Sequence, residues 1–366
     1  MHLFRLFIFL LSTIAADASE SLKADVIRHY AEIVSATYSD SVKAAEALRA
    51  AVHQLLATPS AETLSAARSA WIASRKPYLQ SETFRFYEGP IDLIDGRLNA
   101  WPLDEEYIES IIKHPDLHPQ LSAESIASLN EKEGEKSISC GFHAIEYVLW
   151  GQDQNVNGPG DRPYQDFLPG SERRREFLRI VTDMLVADLK TLENDWRADR
   201  SDNYRAWFLS SAPHQSLRKI LHGMGTLSAT ELAGERLTVA YETKEQEDEH
   251  SCFSDTTQTD VFLNALGIQN VFTGKYTRTD GTHIEGPGIE SLLREASPKL
   301  ADELAAQLTA SVEAARSIPH PFDQTFTGPD SAPGRIAIHR TIRSLQQQAD
   351  GIARTAALIG LKDSEE

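Results

Sequence analysis

His143 and Glu146 stand three residues apart in the segment SCGFHAIEYVLWG, residues 139–151. On a helix that spacing puts both side chains on one face, where an imidazole and a carboxylate can share one ion. A neutral imidazole with a carboxylate suits zinc, iron or manganese better than calcium. Spacing alone is weak, because His29-Tyr30-Ala31-Glu32 repeats it. Context separates the two pairs. Gly141 stands two residues before His143, apolar Phe142, Ile145, Val148 and Leu149 flank the pair, and Trp150-Gly151 closes the segment. Titratable groups in such surroundings are buried and need partners, so a satisfied core His–Glu pair is the structural alternative. The metalloprotease pattern HExxH is absent, and its inverted form fails because residue 147 is Tyr. A hydrolytic zinc site needs three protein ligands and an open position, so further ligands must come from elsewhere in the chain.

Two other segments offer donors. RKPYLQSETFRFYEGPID, residues 75–92, places Tyr78, Glu82 and Arg85 near one helical face, as a ligand set or as an internal ion pair. EQEDEHSCFSD, residues 245–255, carries five acidic side chains and His250. It reads either as a solvated charge run or as a donor cluster in which Glu249 and Asp255 contribute. Its Ser251–Asp255 part, with Ser254, departs from plain acidity and favours function. Neither a Gly-rich phosphate loop nor a GxSxG elbow occurs.

The elements that must position these residues read as helices almost throughout, an all-α fold. Apolar residues from Leu22 to Leu56 recur at three- and four-residue spacings and stop at Thr58-Pro59. Ser60 caps a second helix that runs through Trp71 and Phe86 to Gly89-Pro90. Further helices are expected over 172–197, 216–241, 298–317 and 335–361, with a short extended piece at 269–276. The turn-rich stretch 151–170 is the expected boundary between two helical bundles, 19–168 and 169–366. Residues 1–18 have the weakly basic start, apolar run and small-residue cleavage site of a signal peptide. The mature protein is therefore expected across the inner membrane, in the periplasm or at the outer membrane. There Cys140 and Cys252, each abutting a candidate segment, can pair as a disulfide if their Cα atoms lie within about 7 Å. With 54 carboxylates against 36 basic residues and a net charge of −18, a nucleic-acid partner is disfavoured. After the leader no apolar run reaches membrane-spanning length.

GFHAIEYVLWG resembles the GxHxxE signature of the imelysin-like family. GQDQNVNGPGDRPYQDFLPG, EQEDEHSCFSDTT, TDGTHIEGPGIESL and the stretch from Ala67 to Glu105 are similar to its iron-regulated protein A branch. The resemblance implies two domains, each like a four-helix bundle, with a site between them around Gly141, His143 and Glu146. It also implies a divalent or trivalent metal ion, iron first and zinc second, in the service of envelope iron-uptake components. On that expectation His143, Glu146, Glu82, Glu249 and Asp255 are metal ligands or orient them. Tyr78, Arg85, Gly141, Trp150, His250 and Ser254 shape the site. The alternatives are an imelysin-type metallopeptidase with Glu146 or Glu82 as general base, and a non-catalytic receptor for a peptide or other ligand.

Overall fold

The computed structural model describes residues 2–154 and 158–359, with side chains from Glu20 onward. The leader expected over residues 1–18 lies outside the residues whose side chains are described. The chain is built from α1 (His2–Ala57), α2 (Ala61–Gln80), α3 (Asp95–Leu98), α4 (Glu105–Lys113), α5 (Ala123–Leu129), α6 (Gly141–Trp150) and α7 (Glu172–Trp196) in its first half. The second half supplies α8 (Tyr204–Ser210), α9 (Pro213–Thr226), a π-helix (Leu227–Thr238), α10 (Val239–Thr243), α11 (Thr257–Thr273), α12 (Ile289–Ala296), α13 (Pro298–Arg316), α14 (Asp323–Phe326) and α15 (Pro333–Leu358). Strand structure among the described residues is one short ribbon, β1 (Lys275–Thr277) against β2 (His283–Glu285), with Tyr276 opposite Ile284. The all-α expectation holds.

The helix boundaries follow local chemistry. Ser60 Oγ accepts the Thr63 N–H at 3.2 Å and Thr63 returns a bond to the Ser60 N–H, so α2 starts on a capping box. The second helix stops earlier than its apolar pattern suggests. Ser81 Oγ donates to the Tyr78 carbonyl at 2.6 Å, and the chain tightens into a 3-10 turn over Glu82–Phe84. The extended piece expected at 269–276 is instead mostly the end of α11, and only Lys275–Thr277 pairs as strand.

Helix α1 is the long central member, packed on α2, α7, α9 and α12. On one side α6 lies across α2 and α7; on the other α11, α13, α15 and the π-helix form a second layer. Helix α2 also packs on α11 and so ties the two groups together. Although it follows the turn-rich stretch, α7 packs with α1 and α6. Gly223 lets α9 approach the turn that carries Glu82, because a Cβ there would meet the Thr83 carbonyl oxygen at 2.5 Å.

Glu109 is the polar fastener of the first group. It accepts from Arg174 at 2.9 and 3.0 Å and from Tyr147 Oη at 2.9 Å, and Lys113 lies 3.0 Å away. Burial alone would raise its pKa, but Arg174, Lys113 and Tyr147 outweigh burial and hold it at about 2. A carboxylate lowered by folding adds stability above its ordinary pKa and loses it as pH falls through the folded value. Glu109→Gln is therefore expected to cost about 1–3 kcal/mol at pH 7. In urea titrations the gap to the native chain should close between pH 4.5 and about 2. A gap that stays constant across that range would refute the ion-pair account.

Candidate functional site between the two helix groups

Gly141 opens α6 at φ +89°, and a Cβ there would lie 2.7 Å from the Leu98 carbonyl oxygen and 2.8 Å from that of Arg97. Only glycine lets the helix start this close to that backbone. Two residues on, His143 Nδ1 lies 2.8 Å from Glu146 Oε2, the helical i,i+3 pairing expected from the sequence. The other carboxylate oxygen, Glu146 Oε1, accepts from the Ser254 N–H at 2.9 Å and from Ser254 Oγ at 2.6 Å. Both residues are buried. Burial pushes Glu146 up to about 8, against the lowering effect of Ser254. Burial and the nearby Arg75 push His143 well below the ordinary histidine range, so its ring is neutral. His143 Nε2 has no hydrogen-bond partner among the described residues.

Across from His143 stands a second imidazole, His250, with ring centroids 4.7 Å apart at 73°. Its Nδ1 lies 2.7 Å from Asp260 Oδ2, which also takes Ser251 Oγ at 2.5 Å and an Arg75 guanidinium nitrogen at 2.9 Å. Burial, Arg236 and His143 keep His250 neutral as well. Asn99 offers its Nδ2–H to His250 Nε2 at 3.5 Å and donates to Glu82 Oε1 at 2.9 Å, while its Oδ1 accepts from Arg75. Each imidazole is thus anchored through Nδ1 on a buried carboxylate, with His143 Nε2 unpartnered among the described residues and His250 Nε2 against Asn99. This is how carboxylates orient metal-binding histidines in general.

Glu82 is buried and tied on both oxygens. Oε2 accepts from Arg236 at 2.5 Å and from Arg85 at 3.3 Å, and Oε1 from Asn99. Burial raises its pKa, but Arg236 and Arg85 reverse that and hold it at about 2. Arg85 also pairs with Asp95 at 2.6 Å, and Tyr78 Oη donates to Asp95 at 3.2 Å. Arg236 comes from the π-helix, a geometry recurrent at functional sites. A cleft of about 450 Å³ opens over this network. Asp92, Asp95, Glu131, Glu135, Glu231 and Glu235 wall it against Arg85 and Arg236, with buried Asn99 and His250 on the same lining. Such an excess of carboxylates concentrates cations.

The disulfide expectation needs correction, and the other expected site residues have the surroundings that follow. Among the described residues no three His, Cys, Asp or Glu side chains already form a metal-ligand group. Glu82 serves arginines, because burying a carboxylate demands an opposite charge. Glu146 orients His143. Glu249 has Asp255, Asp323 and Asp153 as its charged neighbours, and Asp255 has Asp323, Asp153 and Glu146, the partner of His143. Trp150 packs on Trp71 at 5.3 Å and under Arg68, a core role. Cys140 and Cys252 are both free and buried, without the disulfide, and their surroundings differ. Cys140 Sγ donates to Asn130 Oδ1 at 3.6 Å, whereas Cys252 faces Glu146 and Glu249. Asp260, Asn99 and Arg236 went unseen. Asp260 has a faint signal, as the one charged residue of α11, and Asn99 has none.

The sequence profile of the imelysin family matches residues 34–352. The chain belongs to the imelysin family. Its fold agrees with those of solved relatives. An iron-regulated protein A precursor from Parabacteroides distasonis ATCC 8503 superposes with a TM-score of 0.76 at 20% identity, covering 93% of this chain and 95% of that one. An imelysin-like protein from Psychrobacter arcticum 273-4 gives 0.69 at 14% identity, covering 94% and 98%. In sequence, this imelysin-family chain is 24% identical over 331 residues to iron-regulated protein A of Synechococcus elongatus, spanning 88% of this chain and 82% of that protein. No helix among the described residues is long and apolar enough to cross a membrane.

Proposed function

We propose that this imelysin-family chain is a periplasmic or envelope metal-binding protein serving iron acquisition, with its cargo ion held beside His143. One observation carries the reading. His143 is buried and neutral, anchored through Nδ1 on Glu146, and its Nε2 is unpartnered among the described residues while a second, equally anchored imidazole stands 4.7 Å away. A buried nitrogen left without a partner is costly unless something binds there. His143 and His250 would supply the nitrogens, a donor type suited to iron and zinc. The acidic cleft would concentrate the cation, and the naming of relatives as iron-regulated proteins supports iron as the cargo. The site would lie between two helical bundles. With α7 packed on α1 and α6, their division would fall after Trp196 rather than at 168/169.

The peptidase alternative gains less support. Glu146 and Glu82 each have both oxygens engaged, so neither is placed to take a proton from a water.

Calorimetric titration of chelator-treated protein with ferrous iron and with zinc tests the proposal. His143→Gln and His250→Gln are each expected to weaken binding at least about tenfold, the loss of about 1.4 kcal/mol, with Tm recorded to confirm folding. Equal binding by native protein and both variants would overturn it.

A further inference from the structure

The two facing imidazoles differ at Nε2. That of His143 has no partner among the described residues, while that of His250 is covered by the Asn99 amide. The amide sits only one way round. Its Oδ1 accepts from Arg75 and its Nδ2 donates to Glu82 Oε1 at 2.9 Å, and a flip would set donor against donor and acceptor against acceptor. The second Nδ2 hydrogen is left for His250. On the other side of that contact, His250 Nδ1 lies 2.7 Å from Asp260 Oδ2, whose carboxylate is paired with Arg75 at 2.9 Å. Nδ1 therefore carries the proton and Nε2 presents its lone pair to Asn99. Nδ2 and Nε2 stand 3.5 Å apart, at the outer limit for a hydrogen bond, so the contact is weak enough to be displaced.

A cation and an amide N–H cannot share one lone pair, so an ion that bridges the two rings must first see Asn99 leave. The residue caps α3, with its own N–H on the Asp95 carbonyl at 2.9 Å, and the start of α6 packs on the Arg97 and Leu98 carbonyls just before it. Its main chain is thereby fixed, and side-chain rotation is the movement left. Asn99 is 5% exposed and lies on the lining of the acidic cleft beside His250, where the wall carboxylates are acceptors for a rotated amide. Rotation breaks the bonds to Glu82 and Arg75. Hydrogen bonds to charged groups are the strong ones, so opening is a barrier.

We infer that Asn99 is the gate of the His143–His250 site: its amide closes the His250 lone pair in the ion-free chain, and its rotation into the cleft sets the rate at which a cation is admitted. The inference rests on His143 and His250 being the cation ligands. Asn99 is a positioning residue, touching His250 without holding the ion. Loss of its side chain should therefore raise the association rate and leave release unchanged. A merely structural role would act the other way, loosening the site and speeding release.

Stopped-flow mixing of chelator-stripped, full-length protein with ferrous iron under anaerobic conditions tests the gate. Tryptophan fluorescence follows binding, since the Trp101 ring stands 5.7 Å from that of His250. Asn99→Ala is expected to associate at least about tenfold faster than the native chain, about 1.4 kcal/mol off the barrier, with release into excess chelator within about twofold of native. Should Asn99→Ala fail to fold by its Tm, Asn99→Ser, which keeps a short polar side chain, is read in its place. Iron binding by the variants at the native association rate, or with faster release alone, would overturn the gate and leave His143 and His250 standing as ligands. Absence of iron binding from the native chain and the variants alike would overturn those ligands and the gate with them.

Discussion

Replacing Arg236 by alanine is expected to lower the melting temperature by roughly 4–7 °C, from a cost of about 3–5 kcal/mol spread over the unfolding entropy of a chain this long. Arg236 is 2% exposed, and its guanidinium binds Glu82 at 2.5 Å, Glu231 at 2.8 Å and Asn264 Oδ1 at 2.6 Å. Asn264 in turn holds the Leu79 carbonyl at 2.7 Å, just before the turn that carries Glu82. Without Arg236 the fully buried Glu82 retains Arg85 and Asn99 alone. Breaking one half of a buried pair leaves the other charge in low dielectric, which costs more than the pair contributes when intact. The double variant Arg236→Met with Glu82→Gln removes both charges and should recover part of the loss. Thermal unfolding of the two single variants and the double one measures that coupling. A single-variant loss below about 1 kcal/mol, the range of surface pairs, would show that the network is solvated.

Gly141→Ala is expected to be nearly as damaging, although it adds one methyl group. The residue sits at φ +89°, and the new Cβ would press on two carbonyl oxygens at 2.7 and 2.8 Å. Backbone strain and overlap each cost on the order of 1–3 kcal/mol. The contacted atoms belong to the main chain and cannot rotate away. Relief must come from moving the start of α6, which carries His143 and Glu146, so metal affinity should fall together with stability. Denaturant midpoints and the iron titration read the two effects. A variant with unchanged midpoint would show that the Arg97–Leu98 backbone yields easily.

Much of this protein is local and therefore legible in its sequence. The helix over 172–197 is found at Glu172–Trp196, and that over 298–317 at Pro298–Arg316, because apolar periodicity acts over a few residues. The Ser60 cap and the His143–Glu146 pair are likewise fixed by neighbours three positions away. Long-range choices are different. Arg75 meets Asp260 across 185 positions, and Arg236 meets Glu82 across 154. Which of the many acids each arginine takes depends on which helices share a layer, and no local pattern encodes that.

The segment around Glu249 shows the division most sharply. Its donor-rich composition marked it as functional, with Glu249 and Asp255 expected on one ion with His143 and His250 expected only to shape the site. Tertiary structure divides them. The His250 ring stands 4.7 Å from that of His143, while the charged neighbours of Glu249 and Asp255 include Asp323 and Asp153. By itself the sequence determined the family, the helical fold and the residue types able to bind a cation. Only the folded chain decided which of them meet, because extended backbone sends adjacent side chains to opposite faces and packing supplies a different partner on each.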